Sequence, residues 1–555
     1  MKKLIYSCAA LALSLCTSSA KLTMLERKED FWQGKLYVER SSIRNEPQSC
    51  VAGKVTLDGE EFPCDGVDFL SFISNQELNI SNRDGTVDAP GDVPYTTQAS
   101  DIWGWLSPTG KEFTIECLDN GVVIVDSTDP VDPCVVAKIP ATRSKAAWCD
   151  VKVYKNVLYI VKDAGRAARE IEQNATKDIY NTAKQGIEVV DLLQFDTLGC
   201  PNQPETITPN FIYAGHGRSH NLVINTETGF LYSVGTDTCN SGLHMIALEP
   251  NPLEPTFAGC AGNDGYTHDA QCVLYDGPDE AFQGSEICFA FNEDTVTIWD
   301  VSDKSSPVIL SRTLYENQIY THQGWVTSDW KTLLVDDELD ELCAEEGSSA
   351  YSSLCADLSL DFEPFTGHEK TRTHIFDISE LRWPRYTGYY EHTDVSIDHN
   401  LYVWGQVHAK GQGGNPPMKN PPSSKYAYLN NYIAGLRILD ISAGADNPGG
   451  FKETGYFDIA PDLSSLEFLG AWSGYMHPSG VYAISSIDRG LFFLQPENVF
   501  DTAGSTSDSN TDSGAVWGVA FAIIAVSAVG AFGAAIFLSS KQKAAKHYVS
   551  NDATL

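Results

Sequence analysis

Gly121–Asp126 reads GVVIVD, and the phrase returns as GIEVVD at Gly186–Asp191, GLHMIAL at Gly242–Leu248 and TVTIWD at Thr295–Asp300. It comes again as RTHIFD at Arg372–Asp377, GLRILD at Gly435–Asp440 and GLFFL at Gly490–Leu494. Five of the seven end in Asp and five begin with Gly. A supersecondary unit repeated at intervals of roughly 50–80 residues is the signature of radial repetition. The chain between successive repeats has room for three more short strands. They are legible after Ser219: NLVIN at Asn221–Asn225, a turn over Thr226–Gly229, FLYSV at Phe230–Val234, then Gly242–Leu248 and Thr256–Gly259. Four strands per unit make a propeller blade. The predicted fold is all-β, a seven-bladed β-propeller over residues 101–496.

The first strand of each blade opens with a related phrase. These are DIWGW at Asp101–Trp105, WCDVKV at Trp148–Val153, SHNLVI at Ser219–Ile224 and THDAQC at Thr267–Cys272. THQGWV at Thr321–Val326, DHNLYV at Asp398–Val403 and AWSGYM at Ala471–Met476 complete the set. Blade seven stops after its third strand at Leu494, so a ring without an exposed edge needs a strand from elsewhere. Residues 21–100 are expected to supply it, for instance from VDFLSFIS at Val67–Ser74. The long insertions Asp163–Gln185 and Leu339–Glu369 fall between second and third strands, and Lys410–Ser424 extends the hairpin of blade six.

The two ends set the expected compartment. Lys2 and Lys3 precede an apolar run, Leu4 to Leu15, and then Ser18-Ser19-Ala20, the order of a signal peptide over residues 1–20. Residues 497–514 read as a flexible stalk, because DTAGSTSDSNTDSG carries no large apolar side chain. Residues 515–538 are free of charge and long enough to span a bilayer as one transmembrane helix. Lys541, Lys543 and Lys546 follow it, which places the 539–555 tail in the cytoplasm and the propeller outside, as a type I single-pass membrane protein.

The chain carries 38 Lys+Arg against 74 Asp+Glu, a net charge of −36. So acidic a surface excludes a nucleic-acid partner and favours cations. Of 14 cysteines, Cys8 and Cys16 leave with the signal peptide, and an even number in an oxidising compartment predicts disulfides. Proximity favours Cys50–Cys64, Cys239–Cys260, Cys272–Cys288 and Cys343–Cys355. Asn79-Ile80-Ser81 and Asn174-Ala175-Thr176 are glycosylation sequons.

The chain resembles the choice-of-anchor B proteins and their LVIVD repeat. The matching segments include FPCDGVDFLSFIS at Phe62–Ser74, SDIWGW at Ser100–Trp105, GYTHDAQCVLY at Gly265–Tyr275 and NEDTVTIWDVSDKSSPV at Asn292–Val308. YTHQGW at Tyr320–Trp325, LLVDDELDE at Leu333–Glu341 and IDHNLYV at Ile397–Val403 match as well, so the resemblance runs from Cys50 to Leu494. It implies a cell-surface propeller held by interchangeable anchors, and no particular reaction.

In a propeller the starts of the first strands and the second-to-third-strand loops share one face. His220, His268, His322 and His399 hold equivalent first-strand positions in blades three to six, and Asp269 follows one of them. Asp336, Asp337, Glu338, Asp340 and Glu341 form an acidic loop on the same face. Imidazole and carboxylate are ligands for a divalent metal, and His also serves in acid–base chemistry. His220, His268, Asp269, His322 and His399 are therefore candidate ligand-binding residues, and the four histidines with Asp336 and Asp337 candidate metal ligands. Five carboxylates in six residues suit Ca²⁺, although the EF-hand spacing is missing; the histidines suit a transition metal. The competing reading is that a recurring His bonds the backbone of the next blade and holds the ring. The repeated Asp126, Asp191, Asp300, Asp377 and Asp440 are expected to cap turns. Trp103, Trp105, Trp148, Trp325 and Trp472 are expected to pack between blades, with a ligand-stacking platform as the alternative. No GxSxG elbow, P-loop or HExxH occurs. The leading expectation is a surface binding or adhesion module for an extracellular protein or glycan. The alternative is a metal-dependent hydrolase or oxidoreductase working at the channel mouth.

Overall fold

The computed structural model describes residues 40–80, 97–141, 146–163, 186–344, 370–405 and 423–500. The signal peptide, the 515–538 segment, the tail, Asn174, Cys355 and most of the stalk lie outside the described residues, as do the greater parts of the three insertions. Among the described residues no helix is long and apolar enough to cross a membrane.

Seven sheets form the blades of a β-propeller, antiparallel throughout except where the short strand Glu205–Thr206 adds parallel to Cys134–Pro140 at the edge of blade one. Their first strands are Ala99–Leu106, Trp148–Tyr154, Asn221–Asn225, Asp269–Leu274, Thr321–Val326, Leu401–Val403 and Ala471–Met476. The Asp-ended repeats are third strands, and most of their side chains are buried because each is sandwiched between neighbouring blades. Each repeated Asp accepts the backbone N–H two residues on, at 2.9–3.1 Å. These Asx turns steer the chain toward the fourth strand.

Blade seven gains its fourth strand from far upstream. Val67–Ser74 runs antiparallel to Gly490–Pro496, in a register from Val67 opposite Pro496 to Ser74 opposite Gly490. The hairpin just before it, Lys54–Leu57 and Glu60–Asp65, was not foreseen. It extends blade six, with Cys64 opposite Phe457 and Asp65 opposite Tyr456. One N-terminal segment thus engages both of the last two blades.

Three expected disulfides are present: Cys50–Cys64, Cys239–Cys260 and Cys272–Cys288. Two more, Cys117–Cys149 and Cys134–Cys200, link blade one to blade two. Spacing favours pairs close in sequence, whereas adjacent blades bring together cysteines 32 and 66 residues apart. The five tryptophans are buried. Trp103 packs on Tyr475, Trp404 and Tyr402 at ring separations of 5.2, 6.0 and 6.3 Å. Beside it Gly104 lets blade one approach blade seven, since a Cβ there would fall 1.9 Å from the Tyr475 ring.

Candidate functional site

The repeat-equivalent histidines form an arc at the inner edge of blades three to six. Adjacent ring centroids are 4.3 Å apart for His220–His268, 4.3 Å for His268–His322 and 4.5 Å for His322–His399. All four side chains are buried. Their positions follow from the strand repeat: the same register at the start of successive first strands turns the same side chain toward the axis.

Hydrogen bonds fix the rings. His268 Nδ1 lies 3.0 Å from the His322 carbonyl, which can only accept, so Nδ1 carries the proton and Nε2 the lone pair. His322 Nδ1 is 2.6 Å from Asp336 Oδ1, and His220 Nδ1 is 3.1 Å from Asp163 Oδ2. His322 Nε2 then faces Glu338 Oε2 at 3.5 Å, and His399 Nε2 lies 3.8 Å from Glu338 Oε1. The Tyr432 hydroxyl donates to Glu338 Oε1 at 2.6 Å. One ligand atom each from His268, His322 and Glu338 lies within 4.8 Å of the others, a spacing that one metal ion can bridge. A carboxylate on Nδ1–H behind a ligating Nε2 is a recurrent device for orienting metal-bound imidazole.

Asp337 takes no part in this cluster. Strand alternation turns it away from Asp336. It accepts from the Tyr315 hydroxyl and from the backbone N–H groups of Ile319 and Tyr320, each at 2.8 Å. Its carboxyl is pushed up to about 6 by burial and then by Asp340. Glu338, passed over in favour of Asp337, takes the central place. Glu338 lies just past the end of the strand Thr332–Asp337, in the turn that follows it. Burial, and then Asp398 and Glu338, hold the Asp336 carboxyl well above the usual range.

Asp269 lies within reach of a second polar group, centred on Lys152. Lys152 Nζ bonds Asp101 Oδ2 at 2.9 Å and Asp150 Oδ1 at 2.5 Å. Asp269 accepts its nearest bond from the Ala270 N–H at 2.7 Å, and its carboxyl is raised to about 7 by burial, with Lys152 offsetting part of the effect. Ring-holding bonds are present alongside the histidines. Asn221 Nδ2 donates to the His268 carbonyl and Asn400 Nδ2 to the Trp472 carbonyl, both at 3.0 Å, and Gln323 exchanges two bonds with Leu401 across the blade boundary. The amide residues that follow three of the histidines therefore tie blade to blade. The His268 ring likewise reaches the backbone of the next blade, at the His322 carbonyl. At Asn79 the side-chain oxygen accepts from Asn120 Nδ2 at 2.7 Å, and Ser81 of its sequon lies outside the described residues.

Fold and site define a seven-bladed β-propeller with a buried His/carboxylate cluster at its axis. No family model and no curated protein matches the chain. Among solved structures it is similar to the WD40 propeller domain of Doa1, at 11% identity and TM-score 0.40, covering 73% of this chain and 95% of that one. Hydrazine synthase of Kuenenia stuttgartiensis aligns at 11% identity and TM-score 0.42, covering 74% and 98%. The Cps50 (Swd1) propeller domain of Myceliophteria thermophila aligns at 9% and 0.39, covering 72% and 99%. Likeness this distant carries no functional argument; the blade count rests on the strand pairing.

Proposed function

We propose that this chain is a cell-surface binding propeller of the choice-of-anchor B type, anchored through residues 515–538, with a divalent cation held by His268, His322 and Glu338. The observation that carries the reading is His322. Its Nδ1 lies 2.6 Å from Asp336 Oδ1 and its Nε2 3.5 Å from Glu338 Oε2, so the ring stands between two acidic groups. Two electron-rich groups so placed repel unless a proton or a cation stands between them. Two imidazoles and one carboxylate suit Zn²⁺, Co²⁺ or Mn²⁺ better than Ca²⁺. His268, His322 and Glu338 are all at most 4% exposed, which fits a centre that stiffens the ring rather than one that turns over substrate. The ligand of such a module is an extracellular protein or glycan; the structure buries Asp336, Asp337, Glu338, Asp340 and Glu341, so the acidic loop does not form the face that meets it. Export is supported by the disulfides.

The test is metal analysis of the full chain purified without chelator, beside His322→Ala and Glu338→Gln. Each variant should lose one equivalent of metal while keeping the β-rich circular dichroism of the wild type. Loss of thermal stability in the variants, with no metal in the wild type and none taken up from Zn²⁺, Co²⁺, Mn²⁺ or Ca²⁺, would make the histidines structural pins.

A further inference from the structure

Where the chain leaves blade five for blade six, a second group of metal-binding side chains gathers, separate from the axial histidines. His392 follows the fourth strand of blade five, Arg385–Glu391, Asp394 lies two residues on, and Glu453 comes from the fourth strand of blade six, Lys452–Phe457. One ligand atom from each lies within 4.8 Å of the other two. The His392 ring is 1% exposed and its tautomer is set by a relay. The Thr373 hydroxyl donates its one proton to Asp398 Oδ2 at 2.8 Å, so at 2.9 Å it accepts from His392 Nε2–H. Nδ1 is then the nitrogen with the lone pair, and it has no hydrogen-bond partner. Neither carboxylate oxygen of Asp394 has one either.

Arg437 is the competing cation. Its Nη1 stands 3.7 Å from Asp394 Oδ1 and 3.5 Å from Glu453 Oε2, while Nε is committed to the Ala434 carbonyl at 3.1 Å. One guanidinium against two carboxylates leaves a net negative charge, and it offers no donor bond to the His392 lone pair. A buried imidazole lone pair beside Asp394 oxygens that accept no hydrogen bond is costly unless something bridges them. We infer that His392 Nδ1, Asp394 and Glu453 form a second divalent-metal site, suited to a first-row transition ion. The Asp394 and Glu453 side chains are each 14% exposed, against at most 4% for His268, His322 and Glu338.

The experiment titrates the full chain with Co²⁺ and follows its visible absorption, with Zn²⁺ competition to confirm site occupancy. The wild type should bind one equivalent more than Asp394→Asn, and the residual affinity of the variant at this site should fall at least about tenfold. His392→Gln should behave alike, and Asp394→Asn, at a partly exposed position, guards against a His392 variant that fails to fold. His322→Ala should leave this equivalent intact, which separates the outcome from that of the axial site. Equal Co²⁺ stoichiometry in wild type, Asp394→Asn and His392→Gln would overturn the inference and leave the group an Arg437-centred ion network.

Discussion

Phe72→Ala probes the seam that closes the ring. Phe72 sits in the strand borrowed from the N-terminal segment, opposite Phe492, and their rings are 4.5 Å apart. The side chain is 1% exposed. Its backbone also exchanges two bonds with Ile43, at 2.8 and 2.9 Å, which alanine would keep. The substitution therefore removes the ring and little else. Truncating a buried Phe costs about 3–5 kcal/mol. With an unfolding entropy of about 2 cal/mol/K per residue, a cooperative unit of roughly 400 residues loses about 1 °C per 0.8 kcal/mol, so the midpoint should drop by about 4–6 °C. Scanning calorimetry of the full chain measures it. Combined with Phe492→Ala, a double-mutant cycle should return a coupling of about 0.5–1.5 kcal/mol for the aromatic pair. A drop of under about 1 °C, or strictly additive single effects, would mean that the borrowed strand lies outside the cooperative unit.

Gly104→Ala should destabilise the ring by about 1–3 kcal/mol in chemical denaturation, because the new Cβ meets the Tyr475 ring; a neutral effect would show that blades one and seven are not in close contact there. Glu116 is fully buried and its carboxyl is raised to about 8 by burial, the Ser485 hydroxyl offsetting part of it. The folded state therefore binds its proton more tightly than the unfolded state does, so this group's contribution falls as pH rises from the unfolded carboxyl range through about 8. Glu116→Gln should leave the melting temperature nearly unchanged at pH 5 and raise it relative to wild type at pH 9; a gain that is equal at both pH values would contradict this. Peptide mapping without reduction should recover Cys117 joined to Cys149 and Cys134 joined to Cys200. Opening the 66-residue Cys134–Cys200 loop with Cys134→Ser should cost about 4 kcal/mol.

Much of this architecture was legible because repetition makes one physical rule act seven times. A third strand sealed between blades must be apolar, and its exit needs a turn cap, so GVVIVD and its relatives announce themselves. The need for a closing strand followed from counting edges, and VDFLSFIS was apolar enough to fill it. The blade-six hairpin was not legible, since KVTL and EEFPCD alternate too briefly to distinguish an added edge from a loop. At the site, equivalence of first-strand positions brought the four histidines together. Choosing between Asp337 and Glu338 required knowing where the strand Thr332–Asp337 ends, because that boundary decides which carboxylates share a face. The crossover group of His392, Asp394 and Glu453 joins two blades and has no counterpart at the other blade crossovers among the described residues, so periodicity gave no hint of it.

Anomalous diffraction from crystals of the protein, collected at and below the absorption edge of the metal found by elemental analysis, tests the axial site most directly. A peak bounded by His268 Nε2, His322 Nε2 and the Glu338 carboxylate is expected, absent from crystals of Glu338→Gln. Crystals grown with Zn²⁺ or Co²⁺ that show no peak there, with His322 Nε2 protonated and bonded directly to Glu338, would contradict it.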